Sequence, residues 1–339
     1  MADGPTIDRA LEDFVAGLGL AAADAAQRWT PLSGGVSCHV WRVEVGGAAV
    51  CVKRALARLN VADDWRAPIG RVLYEARWFE TARSILPDAA PEPLAVDGEA
   101  GLVATAFLPP DVYPLWKGQL LAGRVEVDTA AAVGERLGRI HAATAGRPDI
   151  AGRFASHDHF FALRLEPYLL ATAARNPDLA GAIEALAART AAARIALMHG
   201  DVSPKNILVG PAGPVFLDAE TACWGDPAFD LAFCLNHLLL KQLVVPEARD
   251  ALAAAFTALA DAHLGEVDWE PREAVEARAA CLLPALLLAR IDGKSPVEYL
   301  TTAPQRAIVR AAAEPLLRRQ PPTLKHVSDA WLAAMAEAG

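Results

Sequence analysis

The segment LMHGDVSPKNILVGPAGPVFLDAE, residues 197–220, places His199, Asp201, Lys205, Asn206 and Asp218 between and around short apolar, strand-like runs. Polar groups set this densely beside apolar ones are costly to bury unless they bind one another, a metal or a ligand. Asn206 follows Asp201 by five residues, and Asp218 follows it by seventeen. ILV and VFL flank Gly210-Pro211-Ala212-Gly213, a natural hairpin turn. Folding that hairpin returns Asp218 to the neighbourhood of Asn206. A carboxylate and an amide oxygen then face one small volume, which suits a hard cation such as Mg²⁺ that keeps waters and phosphate oxygens as its other ligands. Asp201 stays on the loop, free to accept the proton of an attacking hydroxyl. Phosphoryl transfer needs this division of labour: neutralised phosphates, a positioned nucleophile and little covalent work by the protein.

Other parts of the chain must hold these groups. HVWRVEVGGAAVCVKRA reads as two alternating strands joined at Gly46-Gly47, a pair suited to the positive φ angles of a tight hairpin. Val50 and Val52 face one side of the second strand, Cys51 and Lys53 the other. In RVLYEARWFETAR, Val72, Ala76, Phe79 and Ala82 line one helical face. Glu75 interrupts that stripe, and a buried glutamate needs a cation; Lys53 supplies one. GLVATAFLPP is a third apolar run, stopped by Pro109-Pro110. Beyond Leu115 helical patterns dominate, and DPAFDLAFCLNHLLL is apolar nearly all round, with Asp226 as its N-cap and Pro227 opening it. The expected fold class is α+β, with a small antiparallel-sheet lobe over residues 1–107 and a larger, mostly helical lobe over residues 108–339.

HGDVSPKN followed by LDAE resembles the aminoglycoside phosphotransferase and choline kinase relatives of the protein kinases. LSGGVSCHVWRV resembles that family's phosphate-covering hairpin, VCVKRA its lysine strand, YEARWF the helix carrying the lysine's partner, and GDPAFDLAF the helix after the metal loop. The resemblance covers most of the chain and implies a bilobal protein-kinase-like fold. It also implies ATP and Mg²⁺ as cofactors, and transfer of the γ-phosphate to a hydroxyl of a small molecule. Carried onto this chain, it makes Asp201 the catalytic base, with Lys205 touching the γ-phosphate. Asn206 and Asp218 become the metal ligands. The nucleotide falls to the backbone of Ser33, Gly34, Gly35 and Ser37, to Lys53 oriented by Glu75, and to the hinge backbone at Ala106 and Phe107. His199 becomes a brace of the loop, and Asp230 ties down its backbone. Cys38 and Ala106 stand where relatives often carry a small polar residue and a glutamate.

Several residues keep two readings. Glu220 assists the metal or braces the loop. His157 and His159 are polar loop residues with no third ligand placed nearby. Arg290, Asp292 and Lys294 follow an apolar helix that Gly293 is able to cap, so they complement the helix dipole or, as the resemblance implies, line the acceptor pocket. RFASHDHFFALRLEPYLLATAARNPDL mixes Arg153, Arg164 and Arg175 with Asp158, Glu166 and Asp178, giving no preference for a cationic acceptor.

Bulk properties narrow the class. The 339 residues are 53% hydrophobic with a formal charge of −9, which argues against nucleic-acid or anionic-membrane binding. The acidic N-terminus lacks an apolar signal core. Five cysteines without CxxC spacing fit a reducing cytoplasm. A monomer or homodimer is expected. A protein kinase fits poorly, because Asp218 and Asp230 are only twelve apart, too few for an activation segment and a peptide platform. A catalytically dead nucleotide-binding scaffold would normally lack the base, a metal ligand or the lysine, and all are present.

Overall fold

The structure, a computed structural model, describes residues 6–22, 24–32, 36–60 and 65–338. Ser33, Gly34 and Gly35, expected on the phosphate-covering turn, lie outside them. The N-terminal lobe is one antiparallel sheet of β1 (Arg28–Pro31), β2 (Cys38–Val45), β3 (Ala48–Ala55), β4 (Pro93–Asp97) and β5 (Leu102–Ala106), in the order β1-β2-β3-β5-β4. β2 and β3 turn through Gly46 and Gly47, whose φ angles of 59° and 82° are open to glycine at little cost. On one face, the Arg9–Ala16 helix buries Leu11 and Val15 against Trp41, Val43, Val50 and Val52. On the other, Val72 and Ala76 of the Val72–Ile85 helix pack with Ala55 and Val103. The expected stripe Val72, Ala76, Phe79 and Ala82 is buried throughout. Each of its larger members contributes roughly 1.5–3 kcal/mol. Glu75 is carried into the interior on the same face.

The second lobe is mostly helical. At its centre the Pro227–Lys241 helix is buried at every position and packs on Arg272–Asp292. Asp226 caps it, its side chain accepting from Ala228 N at 3.1 Å. Two small ribbons are set into this lobe: β6 (Ala196–Met198) pairs with β9 (Cys223–Gly225), and β7 (Ile207–Gly210) pairs with β8 (Gly213–Phe216). β7 and β8 are the expected hairpin, with Gly210 opposite Gly213. Arg290 and Asp292 lie in the last turn of their helix rather than after it. Gly293 is its C-cap, with an ordinary φ of −76°. Phe161–Leu170 is π-helical around Pro167, a widened turn of the kind that proline and close packing impose. No single helix among the described residues is long and apolar enough to cross a membrane.

Candidate active site

The catalytic loop is held from behind. Asp230, fully buried in the first turn of its helix, accepts from His199 N at 2.7 Å and Gly200 N at 2.8 Å. His141 Nε2 lies 3.2 Å from the same carboxylate. His199 Nδ1 accepts from Asp201 N at 3.2 Å while its Nε2 meets Leu217 O at 3.0 Å. One ring nitrogen must then accept and the other donate, which is the neutral imidazole. Burial favours that form too, lowering the His199 pKa. The ring stands edge-on to Trp78, so its geometry is that of a brace. Between the two, Gly200 has φ +80°, and a Cβ there would sit 2.7 Å from Thr221 O. Only glycine fits.

Asp201 is 1% exposed. Its Oδ2 is crowded, with Arg164 Nη2 at 2.7 Å, Asn206 Nδ2 at 2.8 Å and Lys205 Nζ at 3.3 Å. Arg164 Nε also donates to Gly200 O at 2.7 Å, so one guanidinium fixes both the carboxylate and the loop backbone. Oδ1, by contrast, is buried and meets no protein donor. A buried acceptor without a donor is destabilising by about 1–3 kcal/mol, so Oδ1 is the atom of Asp201 open to a donor from outside the chain. Asp201 raises the Lys205 pKa, so Lys205 stays cationic beside the loop.

The structure brings Lys53, Glu75 and Asp218 together. Lys53 Nζ reaches Glu75 Oε1 at 2.8 Å and Oε2 at 3.1 Å, and Asp218 Oδ1 at 2.5 Å. Burial works to raise the Asp218 pKa. Lys53 and then Lys205 overcome it and hold the carboxyl well below the usual carboxylate range. Burial pushes Glu75 up, to about 7, against the pull of Lys53. Asp218 adopts φ +65°, a left-handed conformation that is uncommon away from glycine and recurs at functional sites.

Asn206 and Asp218 flank the open end of the β7–β8 hairpin, where Leu217 N donates to Asn206 O at 2.8 Å. Asn206 Nδ2 is committed to Asp201, so Oδ1 is the atom left for a cation. With an ionised Asp218, this is the hard-oxygen donor set Mg²⁺ takes. Ligating atoms of Cys38, Asp218 and Glu220 also lie within 4.8 Å of one another. Burial raises the Cys38 thiol to about 12, and Glu220 is already spent on Arg71, so those two fit a hard cation less well.

Arg71 was not anticipated from the sequence. It is fully buried; Nε donates to Glu220 Oε2 at 2.7 Å and Nη2 to Ser37 O at 2.6 Å, with further bonds to Pro68 O and Leu56 O. It thereby pins the residue that precedes β2 to the loop that follows β8. The available signal was its place four residues before Glu75, on the same helical face. Ser37 is buried, and its carbonyl is taken by Arg71 and by Leu56 N. At the hinge, Ala106 N donates to Glu92 O at 2.8 Å. The Arg42 guanidinium lies 5.0 Å from the Phe107 ring. His157 Nε2 is satisfied by Trp224 O. Lys294 pairs with Glu166 and Asp292 with Arg310, which leaves Arg290 as the member of that trio facing the loop side.

Residues 28–269 match the model of the phosphotransferase enzyme family, well over half of the chain. The chain belongs to this family. Among curated proteins of known activity, methylthioribose kinase of Yersinia enterocolitica is 25% identical over 252 residues, covering 66% of this chain and 63% of that protein. The chain thus spans somewhat under two thirds of the length of that relative. Among solved structures, the amicoumacin kinase hAmiN in complex with AMP-PNP and Ca²⁺ superposes with a TM-score of 0.51 at 15% identity, over 87% of this chain and 90% of that one. A Plasmodium vivax ethanolamine kinase gives 0.50 at 12% identity, over 99% and 91%. These likenesses show the bilobal kinase-like fold. Within the family match fall Arg71 and Arg164, the two buried cations that fix the loops.

Proposed function

We propose that the protein is an ATP- and Mg²⁺-dependent kinase acting on a hydroxyl of a small molecule. One observation carries the reading: Asp201 is held by three donors at Oδ2 and leaves Oδ1 buried without one. A substrate hydroxyl placed there donates its hydrogen bond to Oδ1, which fixes the direction of attack and takes the proton as the new O–P bond forms. The bond from the γ-phosphorus to the bridging oxygen breaks, and ADP leaves with the electron pair. Lys53, oriented by Glu75, exchanges its contact with Asp218 for nucleotide phosphate oxygens. Lys205 stands beside the loop to balance charge on the transferred group. Asn206 Oδ1 and Asp218 are the residues that would hold Mg²⁺, which when bound neutralises the phosphate oxygens.

On this reading residues 1–107 form the nucleotide lobe and residues 108–339 carry the catalytic loop and acceptor helices. Five free thiols suit a cytoplasmic protein. The test is ADP release with Mg²⁺ across a panel of hydroxylated metabolites and antibiotics. Acceptor-dependent release is expected, with kcat falling on the order of 10²–10⁴-fold in Asp201→Asn. Release that no acceptor stimulates would overturn the proposal and favour a scaffold, and full activity in Asp201→Asn would overturn the assignment of Asp201 as the base.

A further inference from the structure

Beside Lys205 lies a small cleft whose charge is out of balance. Its wall is built by Lys117, His237, Lys241, Arg290, Glu298 and Tyr299, converging on Pro204 and Lys205 of the catalytic loop. Four of these groups are cationic and one is a carboxylate. Glu298 is taken by Lys117, and Lys205 leans on Asp201. That leaves Lys241 and Arg290, neither of which has a carboxylate within ion-pair distance among the described residues.

Both are buried. Lys241 is 1% exposed, and its Nζ rests 4.9 Å from the centre of the Tyr299 ring, a cation–π contact that only partly offsets lost hydration. Arg290 is 7% exposed; its Nη1 donates to Tyr168 Oη at 3.0 Å and Ser295 O at 2.5 Å, while its Nε is buried with no acceptor. His237 lines the same cleft and shares a hydrogen bond with Tyr299. Its pKa is driven well down by burial and by Lys241 and Arg290. Uncompensated buried cations are rare and expensive. Two beside the same catalytic loop mark a site waiting for an anion.

We infer that the acceptor is a small hydroxylated compound bearing an oxyanion, a carboxylate or a phosphate ester, which seats between Lys241 and Arg290 while its hydroxyl reaches Asp201. The inference rests on the kinase reading above for the fate of the hydroxyl, but the anion preference itself does not require turnover. Neutral sugars and cationic amines, aminoglycosides included, are disfavoured, since an ammonium in this cleft would meet Arg290 and would oppose protonation of Lys241, whereas an anion would favour it.

The experiment has two arms. In the first, ADP release is measured with matched acceptors: glycerate against glycerol, gluconate and ribose 5-phosphate against ribose, with choline and kanamycin as cations. The anionic member of at least one pair should exceed its neutral partner at least tenfold in kcat/KM, and Lys241→Met should erase that ratio mainly through KM. A neutral or cationic acceptor that equals the anionic ones would overturn the inference and leave the kinase intact. In the second arm, the nucleotide site is filled with a non-hydrolysable ATP analogue and Mg²⁺. Stabilisation by inorganic phosphate is then compared with chloride at equal ionic strength. The phosphate-specific rise in Tm should vanish in Lys241→Met and persist in Lys325→Met, an exposed control. A rise unaffected by Lys241→Met, or none at all, would overturn the inference even if no acceptor is ever phosphorylated. Lys241→Gln repeats both arms with a polar side chain.

Discussion

Replacing Lys241 with methionine should stabilise the protein at neutral and acidic pH, with a gain that fades as the pH rises. Burial, reinforced by Lys117, lowers the Lys241 pKa to about 7, against about 10.4 for a lysine in an unfolded chain. Between those two values the unfolded state binds the proton and the folded state does not, so stability of the wild type rises with pH across that window. Below pH 7 both states are charged and the folded one carries the whole penalty. A difference of three to four pKa units corresponds to roughly 4–5 kcal/mol at about 1.4 kcal/mol per unit.

The cation–π contact with Tyr299 offsets on the order of 0.5–2 kcal/mol of this, and methionine nearly conserves the volume. A net gain of about 2–4 kcal/mol at pH 6 is therefore expected, declining towards zero by pH 10. The other groups facing Lys241 are Lys117, Arg290, Cys234, Glu298 and His237; they remain in both proteins and largely cancel in the comparison. Urea unfolding of wild type and variant at half-unit pH steps, followed by tryptophan fluorescence, measures the difference directly. A gap that does not change with pH, or a methionine variant less stable at pH 6, would refute the account of Lys241 as an uncompensated buried charge.

Three further substitutions probe the framework of the loops. Arg71→Met strands Glu220 in the interior and releases Ser37, so it should cost about 3–5 kcal/mol and raise KM for ATP more than it lowers kcat. Chemical denaturation and steady-state kinetics check both, and an unchanged midpoint would contradict the pinning role. Gly200→Ala forces a Cβ towards Thr221 at φ +80°; it should lose at least about 1–3 kcal/mol and most turnover, and normal kcat would show that the loop relaxes freely. Asp230→Asn turns one of two accepting oxygens into a donor facing the loop amides, at about 1–3 kcal/mol. It should lower kcat while nucleotide affinity by calorimetry stays within twofold, and equal losses in both would make Asp230 a general stabiliser rather than a loop tie.

Features written over a few neighbouring residues were readable in the chain. The Gly46-Gly47 hairpin, the stripe from Val72 to Ala82, the Asp226 cap and the β7–β8 turn each need only local periodicity and turn chemistry. The meeting of Lys53 with Glu75 was readable because a charged residue inside an apolar stripe demands a partner. Edge strands β1 and β4 were not, since neither buries a residue fully, so no apolar alternation marks them in the chain. Arg71 and Arg164 escaped for a different reason: their partners are 149 and 36 residues away. Arg164 was visible only as one charge in a mixed segment, together with Arg153 and Arg175, which the fold leaves exposed.

The charge preference proposed for the acceptor rests on residues that a linear reading does not bring together. The segment 153–179, weighed for that preference, contributes Arg164 to the catalytic loop and Tyr168 to Arg290, while its remaining charges point elsewhere. The cleft is made instead from Lys117, the end of the Pro227–Lys241 helix, and residues 290–299. A lysine closing a helix is ordinarily a solvated complement to the dipole, and nothing in the neighbourhood of Lys241 says otherwise. It becomes buried because this helix ends inside the molecule, against Lys117 on one side and Tyr299 on the other. On the proposed reading, substrate charge is set by the convergence of segments that are each unremarkable alone. A change at any one of Lys117, Lys241 or Arg290 should shift acceptor preference without touching Asp201, Asn206 or Asp218, which leaves the same phosphoryl-transfer machinery to serve acceptors of different charge.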